Sequence, residues 1–305
     1  MGGECLPKPT EPDAGFDQFS VQGATAILSA NIPVSGIGSW EIKNGDGGYI
    51  HNPDNPTTAF SGKENTAYVL SWTISNECSS KADDITVHFG PFSCGLTVKD
   101  ERDNHVYNTV LIGEQCWMAE NINIGEKIDG LNNMTNNSLI EKYCYDNDES
   151  YCDNFGGLYQ WNEMMQYETT SPNQGICMPG WHLPTDDEWK ILEGTVDTEY
   201  PVGDAIWDNI GYRGLDAAGN LKVQGTDQWV WPNTGATNSS GFTALPGASR
   251  NTDGTFPGLG IYGRFWTSSE SGTAAMRRNM ESPRADIARS EGNKLFGMSV
   301  RCLKD

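Results

Sequence analysis

Basic residues are scarce in this sequence, since only 20 of its 305 residues are Lys or Arg, against 41 Asp and Glu. The resulting formal net charge of −21 opposes the phosphate neutralisation on which nucleic-acid binding depends, so we expect no nucleic-acid partner. No apolar run reaches the roughly 18 residues of a membrane-spanning helix. Long helical periodicity is also missing, whereas 35 Gly, ten Trp and eleven Tyr are typical of a loop-rich β protein.

Motifs for metal binding and catalysis are missing as well. The eight cysteines form no C-x-x-C pair and no Cys/His cluster at zinc-ligand spacing. There is no G-x-S-x-G, H-E-x-x-H or phosphate-binding loop. The G-x-G-x-x-G letters at 258–263 follow Pro257 and precede the strand-like "RFWTSS", so we interpret them as a loop. We therefore expect a chain that is not an enzyme and has no cofactor.

Eight cysteines in a chain without zinc spacing favour disulfides and hence an extracellular or cell-surface location. The start, "MGGECLPKP", has no charged and apolar signal peptide, and we expect that an export signal was removed. Cys5 has two interpretations. It is a lipid-anchor residue, or it is a disulfide partner that leaves no odd thiol.

Residues 17–90 alternate between apolar and polar positions, as half-buried strands do. The alternation is clearest in "TAYVLSWTIS" and "DDITVHF", and the turn-like stretches "NGDGG" and "NPDNP" separate such segments. This pattern predicts a β-sandwich. Through "AGFDQ", "GSWEI", "NPTTAF" and "YVLSWTISNEC", the region also resembles the immunoglobulin-like or PKD-like modules of Bacteroidetes surface proteins, which implies a spacer role.

The pattern changes after "GPFSC". A hairpin pattern occupies 104–122, and "LYQWNEMMQY" at 158–167 has apolar residues at helical spacing. A second helix is predicted to begin at Thr185, which forms a capping box with Glu188, and Asp186 and Asp187 favour the positive end of that helix. His182 precedes this helix without a second histidine nearby, so we expect a structural hydrogen-bonding role for it.

Several stretches occur in an order that resembles the Fibrobacter succinogenes major paralogous domain, over residues 94–305. They are "YNTVLIGEQCWMAENI", "CYDNDESYCDNFGGLYQWNEMM", "CMPGWHLPTDDEW", "GFTALPGASRNTDGTF", "FWTSSE" and "GMSVRCLKD". The resemblance implies a C-type-lectin-like fold related to the formylglycine-generating enzymes. Those enzymes use a pair of reactive cysteines late in the chain, where this sequence has Cys302 alone. The predicted fold is β-rich with two domains, an N-terminal immunoglobulin-like β-sandwich at 1–92 and an α+β C-type-lectin-like domain at 93–305.

Domain membership guides the choice among the 105 ways in which eight cysteines can pair. The predicted disulfides are Cys5 with Cys78, Cys94 with Cys116, Cys144 with Cys152, and Cys177 with Cys302. The last one closes the longest loop and should stabilise the fold by about 4 to 5 kcal/mol in the chain-entropy description.

Two features have alternative interpretations. Asp146, Asp148 and Asp153 in "CYDNDESYCDN" could bind Ca²⁺ or form a solvated acidic loop, since the glycine and terminal glutamate of an EF-hand are missing. Trp229 and Trp231 in "DQWVWPN" alternate with Val230 and are predicted to share one face, either as a glycan-binding surface or as core.

The last hairpin carries the strongest functional signal, because its period of two separates two faces. Apolar residues and two arginines share the inward parity, and we expect each arginine to bind a carboxylate or backbone carbonyls. These inward residues are Met276, Arg278, Met280, Ile287 and Arg289. The outward residues are Arg277, Asn279, Glu281, Asp286, Ala288 and Ser290, and "ESPRAD" is predicted to form an exposed turn between the strands.

This segment is similar to the variable repeat of proteins diversified by retroelements, which implies a ligand-binding face on a lectin-like scaffold. The predicted binding residues are Arg277, Glu281, Ser282, Arg284, Asp286, Ser290 and Glu291. We expect an extracellular or cell-surface binding or adhesion protein whose partner is a protein or a glycan. The alternatives are a structural subunit of a surface or pilus assembly, with assembly partners, and a formylglycine-generating-like enzyme.

Overall fold

Strands make up most of the regular structure in the computed structural model, which describes residues 8–21 and 23–305. The prediction of a β-rich chain with few helices is therefore confirmed. These residues separate into two units, with the boundary between Leu96 and Thr97. The division into domains 1–92 and 93–305 stays a prediction. Among the described residues, the helices are too short or too polar to cross a membrane.

The first unit contains two sheets, with strand orders β1-β7-β6-β3 and β2-β5-β4. Its strands are β1 (Gln18–Val21), β2 (Thr25–Ile27), β3 (Ile37–Asn44), β4 (Tyr49–Ile50), β5 (Ala59–Ser61), β6 (Thr66–Ser75) and β7 (Ser80–Phe89).

Alternation in β6 and β7 builds the core of this unit. Leu70 of β6 pairs with Ile85 of β7, and both side chains are buried. The Trp72 ring lies 5.3 Å from the Trp40 ring, between centroids. Gly38 permits this arrangement, since a Cβ there would lie 2.1 Å from a Trp72 ring carbon. The predicted inward parity of the apolar residues in both strands is confirmed.

The second unit has a five-stranded sheet, β13-β18-β10-β9-β8, a four-stranded sheet, β14-β17-β16-β15, and the pair β11-β12. Its strands are β8 (Thr97–Lys99), β9 (Val106–Ile112), β10 (Gln115–Met118), β11 (Glu126–Lys127), β12 (Glu141–Lys142), β13 (Trp181–His182), β14 (Gly211–Arg213), β15 (Tyr262–Ser271), β16 (Ala274–Glu281), β17 (Ile287–Asn293) and β18 (Leu303–Lys304). Its α-helices are α1 (Glu149–Phe155), α2 (Trp161–Met164), α3 (Asp186–Val196) and α4 (Ala217–Leu221).

An aromatic core joins α3 to both larger sheets. The Trp189 ring of α3 lies 5.3 Å from that of Trp117 in β10 and 5.6 Å from that of Phe265 in β15, between centroids. Edge-to-face and tilted contacts of this kind add to the stability that burial provides. The core fixes α3 against the four-stranded sheet, which carries the predicted binding hairpin.

The helix predicted at 158–167 is shorter than its apolar pattern indicated, because only Trp161–Met164 is α-helical. Leu158 instead forms an antiparallel bridge with Tyr143, so its backbone N–H and carbonyl form hydrogen bonds with Tyr143 and not with a helix. The helix at Thr185 is confirmed. The Thr185 hydroxyl accepts from the Glu188 backbone N–H, and the Glu188 carboxylate accepts from the Thr185 N–H at 2.7 Å.

Two of the predicted disulfides are confirmed, Cys144–Cys152 and Cys177–Cys302. The second one ties the segment before α3 to the residue that directly precedes β18. Cys78, Cys94 and Cys116 are each disulfide-bonded. The predicted pairing of Cys94 with Cys116 stays a prediction. The pairing of Cys5 with Cys78 and the lipid-anchor alternative for Cys5 lie outside the described residues.

Candidate binding face

The four-stranded sheet of the second unit has two faces of different character. Strand pairing places Arg278 opposite Phe265 on one side and opposite Arg289 on the other, so these three residues share a face. We call this face, which packs toward α3, the inner face. Met276, Met280 and Ile287 are buried, as the hairpin pattern predicted.

The two inner arginines bind carboxylates of α3, which confirms the expectation for both. Arg278 contacts Glu193 through Nε and donates from Nη1 to Asp186 Oδ1 at 2.6 Å. Arg289 donates from Nη2 to Asp186 Oδ2 at 2.7 Å, and Arg213 of β14 forms a second ion pair with Glu193. Three arginines, one from each of three strands, therefore pair with Asp186 and Glu193 of α3.

Burial by itself would raise the pKa of Asp186. The hydrogen bonds from Arg289 and the charge of Arg278 outweigh burial and hold this pKa well below its ordinary value. Asp186 thus does more than favour the helix dipole, which was its predicted role. Its ion pairs fix the hairpin to α3 in the charged state.

The opposite face of this sheet combines arginine, tyrosine and small polar residues. Arg277 lies opposite Trp266 and Ser290, Asn279 lies opposite Arg264, and Glu281 lies opposite Tyr262. Tyr212 of β14 joins them next to Ala288. We call this set the outer face: Tyr212, Tyr262, Arg264, Arg277, Asn279, Glu281 and Ser290. These residues are half-buried, apart from Tyr212, which is exposed.

The turn between β16 and β17 folds against one end of the outer face. Arg284 donates from Nε and Nη2 to the two carboxylate oxygens of Asp286 at 2.7 and 2.6 Å, and its guanidinium lies 3.8 Å from the centroid of the Tyr212 ring. The Tyr212 hydroxyl in turn donates to Glu281. Burial, together with this bond, raises the pKa of Tyr212 to about 12. Arg284, Asp286 and Glu281, which were predicted together, form one connected group.

The buried Lys222 side chain binds this turn through backbone carbonyls. Its ammonium donates to the backbone carbonyls of Thr234, Glu281 and Arg284 at 3.1, 3.0 and 2.8 Å, and the side chain is buried. Burial lowers the pKa of Lys222 to about 8. The surrounding sequence gives no signal for this contact, because the three acceptors are backbone atoms of distant segments.

Two predicted binding residues, Ser282 and Glu291, are not part of the outer face. The expectation that Ser282 is exposed is wrong, since it is 3% exposed, its N–H donates to the Ile261 carbonyl and its own carbonyl accepts from Thr234. Glu291 is exposed, but it lies opposite Met276 and therefore has the inner parity, where Ser271 donates to it at 2.7 Å. The outer face thus includes Arg277, Glu281 and Ser290 directly and Arg284 and Asp286 through the turn. The sequence prediction missed Tyr212, Tyr262 and Arg264.

His182 has the structural hydrogen-bonding role predicted for it. Its Nδ1 lies 2.8 Å from Asp305 Oδ1 and its Nε2 lies 3.0 Å from Glu188 Oε1. The bond to Glu188 is the main reason that the pKa of His182 is raised. The His182 ring therefore links β13 to α3 and to Asp305.

The prediction that Trp229 and Trp231 share one face is wrong. Trp229 is fully buried and donates its indole N–H to the Ala244 carbonyl at 3.0 Å, whereas Trp231 is 82% exposed. Residues 229–231 are not a strand, so the period of two on which the prediction relied does not apply. Trp231 remains an exposed aromatic residue.

The acidic loop at 144–153 uses one of its aspartates as a helix cap. Asp148 accepts from the Ser150 backbone N–H at 3.0 Å at the start of α1. Across the part of the chain that the structure describes, no group of three or more Asp, Glu, His or Cys side chains is arranged to hold a metal ion. Calcium binding by Asp146, Asp148 and Asp153 stays untested.

Comparison with protein-family models gives a match over residues 110–304 to the model described as the Fibrobacter succinogenes major domain. The matched residues lie within the second unit and include both confirmed disulfides and the complete hairpin. The predicted resemblance to the Fibrobacter succinogenes major paralogous domain is therefore confirmed. The resemblances of 17–90 to immunoglobulin-like or PKD-like modules and of the last hairpin to retroelement variable repeats stay predictions. A comparison with curated proteins gives no match.

Proposed function

The chain belongs to the Fibrobacter succinogenes major domain family, and from this premise we propose that it is an extracellular or cell-surface binding protein. In this proposal the second unit is a C-type-lectin-like scaffold, and the first is an immunoglobulin-like spacer. The two small antiparallel sheets, which α3 joins through Trp189, and the disulfide Cys177–Cys302 support the first assignment. The two sheets of the first unit, β1-β7-β6-β3 and β2-β5-β4, support the assignment as an immunoglobulin-like spacer.

The observation that carries the proposal is the composition and support of the outer face. Tyrosine, arginine, serine and asparagine are enriched in recognition surfaces, where tyrosine and arginine contribute most of the affinity. Here these residues stand on strands rather than on loops, and the ion pairs of Asp186 and Glu193 fix those strands from behind. Binding sites built on fixed strands are held in place more accurately than sites on loops.

A combined Arg277→Gln, Arg284→Gln, Asp286→Asn variant tests this function. We expect it to unfold at the same temperature as the parent within a few degrees and to lose the partners that the parent selects from arrays of extracellular proteins and glycans. The matched control is Lys43→Gln, Lys81→Gln, Asp84→Asn, which makes the same charge changes and removes a similar ion pair in the first unit. If the folded triple variant keeps every partner of the parent, the hairpin is a scaffold and the proposal is wrong.

Two other functions make different predictions. A structural subunit of a surface or pilus assembly would select no array partner in the parent protein. A formylglycine-generating-like enzyme would expose a reactive thiol, which titration of the native protein would detect. For diversification by a retroelement, the decisive observation is a near-copy of the segment encoding residues 266–302 beside a reverse transcriptase gene, differing only at adenines.

A further inference from the structure

We propose that Arg264 and Arg277 form an anion subsite within the outer face, and that this subsite binds a carboxylate of an acidic protein segment. The inference rests on the proposed binding function and names the chemistry of the ligand.

The charges of these two arginines lack the compensation that the other arginines have. Five arginines form ion pairs with carboxylates, namely Arg102, Arg213, Arg278, Arg284 and Arg289. Arg250 and Arg301 donate to several backbone carbonyls. Arg264 and Arg277 make no ion pair with any residue that the structure describes, although the chain has 41 acidic residues.

The two side chains also affect each other unfavourably. Burial, and to a smaller extent the positive charge of Arg264, lower the pKa of Arg277 to about 10. Arg264 lies opposite Asn279 and Arg277 lies opposite Trp266, so the two arginines are diagonal neighbours on adjacent strands. Two positive charges at this spacing destabilise the fold when they are half-buried and no carboxylate compensates them. A bound anion would remove that cost.

Unused donors remain on both guanidinium groups, each of which has five N–H bonds. Arg264 donates from Nη1 to Ser249 Oγ at 2.6 Å, and its Nε is buried without a hydrogen-bond partner among the described residues. Arg277 donates from Nε to Ser290 Oγ at 3.2 Å. Guanidinium groups of this kind bind carboxylates through two parallel hydrogen bonds.

Aromatic rings and one glycine hold the arginines in place. The Arg264 guanidinium lies 4.4 Å from the centroid of the Tyr262 ring, and that of Arg277 lies 5.8 Å from the centroid of Phe296. A Cβ at Gly292 would lie 2.9 Å from Arg277 Cδ and from the Trp266 ring. The glycine therefore leaves the space in which the Arg277 side chain lies.

The occupant favoured by these contacts is an acidic protein segment rather than a sugar. Sugar-binding surfaces use the faces of aromatic rings, but here arginines cover one face of Tyr262 and one of Tyr212. Tyrosine, arginine, asparagine and serine together are instead typical of protein-binding surfaces. An acidic glycan is the alternative that the experiment must distinguish.

The probes are a tetraglutamate peptide, the matching tetraglutamine peptide and an oligogalacturonate, measured by calorimetry at about 0.15 M salt, where the negative charge of the chain is screened beyond about 8 Å. We expect the parent to bind tetraglutamate but not tetraglutamine. Arg264→Gln and Arg277→Gln should each weaken tetraglutamate binding by about tenfold or more. Arg277→Lys should have an intermediate effect, because it keeps the charge but loses the paired donors.

The matched control is Lys43→Gln, which removes one positive charge that already has a carboxylate partner and lies outside the outer face, and which should leave tetraglutamate binding within about twofold. Arg277→Gln should unfold no earlier than the parent, since it removes one of two like charges. The inference is overturned if the parent fails to bind tetraglutamate, if it binds only oligogalacturonate, or if the Gln variants bind as the parent does. Failure here with array partners still lost in the triple variant would leave the binding function standing.

Discussion

Neutralising Glu193 should destabilise the second unit more than any single charge change on its surface. This carboxylate is fully buried in α3 and contacts both Arg213 and Arg278. In Glu193→Gln the amide keeps the shape but removes the charge that two buried guanidinium groups share. Removing one partner of a buried ion pair costs about 3 to 5 kcal/mol, because the other charge stays buried without compensation.

The structure places the expected loss in this range. Arg278 keeps Asp186 as a second carboxylate, which limits the loss on its side. Arg213 keeps only backbone carbonyls, those of Trp207 and Ile287, among its described partners. Burial already lowers the pKa of Arg213 to about 10, with the charges of Arg278 and Arg289 acting in the same direction. We therefore expect a loss of about 3 to 4 kcal/mol in the free energy of unfolding.

Urea unfolding followed by tryptophan fluorescence, with the disulfides intact, measures this loss. Asp187→Asn is the control, since it makes the same charge change in the same helix on a side chain that is 85% exposed, and it should cost less than about 1 kcal/mol. The double variant Glu193→Gln, Arg213→Gln should lose less free energy of unfolding than the sum of the losses in the two single variants. We expect the difference to be about 1 kcal/mol or more. Equal, small losses for Glu193→Gln and Asp187→Asn would refute the importance of this network.

Three further changes test separate parts of the fold. Met280→Ala should lower the free energy of unfolding by about 2 to 4 kcal/mol in urea, through lost burial and a cavity. Lys222→Met should cost about 1 to 3 kcal/mol and increase hydrogen exchange in the 281–286 turn, because three carbonyls lose their donor. The raised pKa of His182 means that its bonds to Glu188 and Asp305 contribute fully below about pH 6.5 and are lost as pH rises through the folded pKa. Melting temperatures measured from about pH 5.5 to 9 should fall more in the parent than in His182→Gln.

Local patterns predicted those features that depend on neighbouring residues. The period of two in the last hairpin separated Met280 from Arg277, and the T-x-x-E letters identified the start of α3 at Thr185. Both signals work because side-chain direction follows directly from backbone geometry. The same reasoning failed at Trp231, where the backbone is not a strand.

Features that depend on distant segments had no such signal. Strand β14 is three residues long and has no pattern of its own, yet it brings Tyr212 beside Ala288. Ser282 is buried because segments around Ile261 and Thr234 hydrogen bond to it, and nothing in "ESPRAD" indicates those partners. Long-range pairing of this kind is determined by the tertiary fold, so local propensity cannot predict it.

The contrast between Arg277 and Arg278 links the stability of the fold to the proposed binding function. These residues are neighbours in β16, and the pleat of the strand directs them to opposite faces. Arg278 is fully buried and binds Glu193 and Asp186, so its charge contributes to the fold. Arg277 lies beside Arg264 and makes no ion pair with any described residue. Its charge therefore destabilises the fold. The chain has acidic residues in excess and compensates the inner arginine with two of them. The proposed anion subsite would explain why the outer arginine has no such partner among the described residues, since its negative group would come from the bound partner.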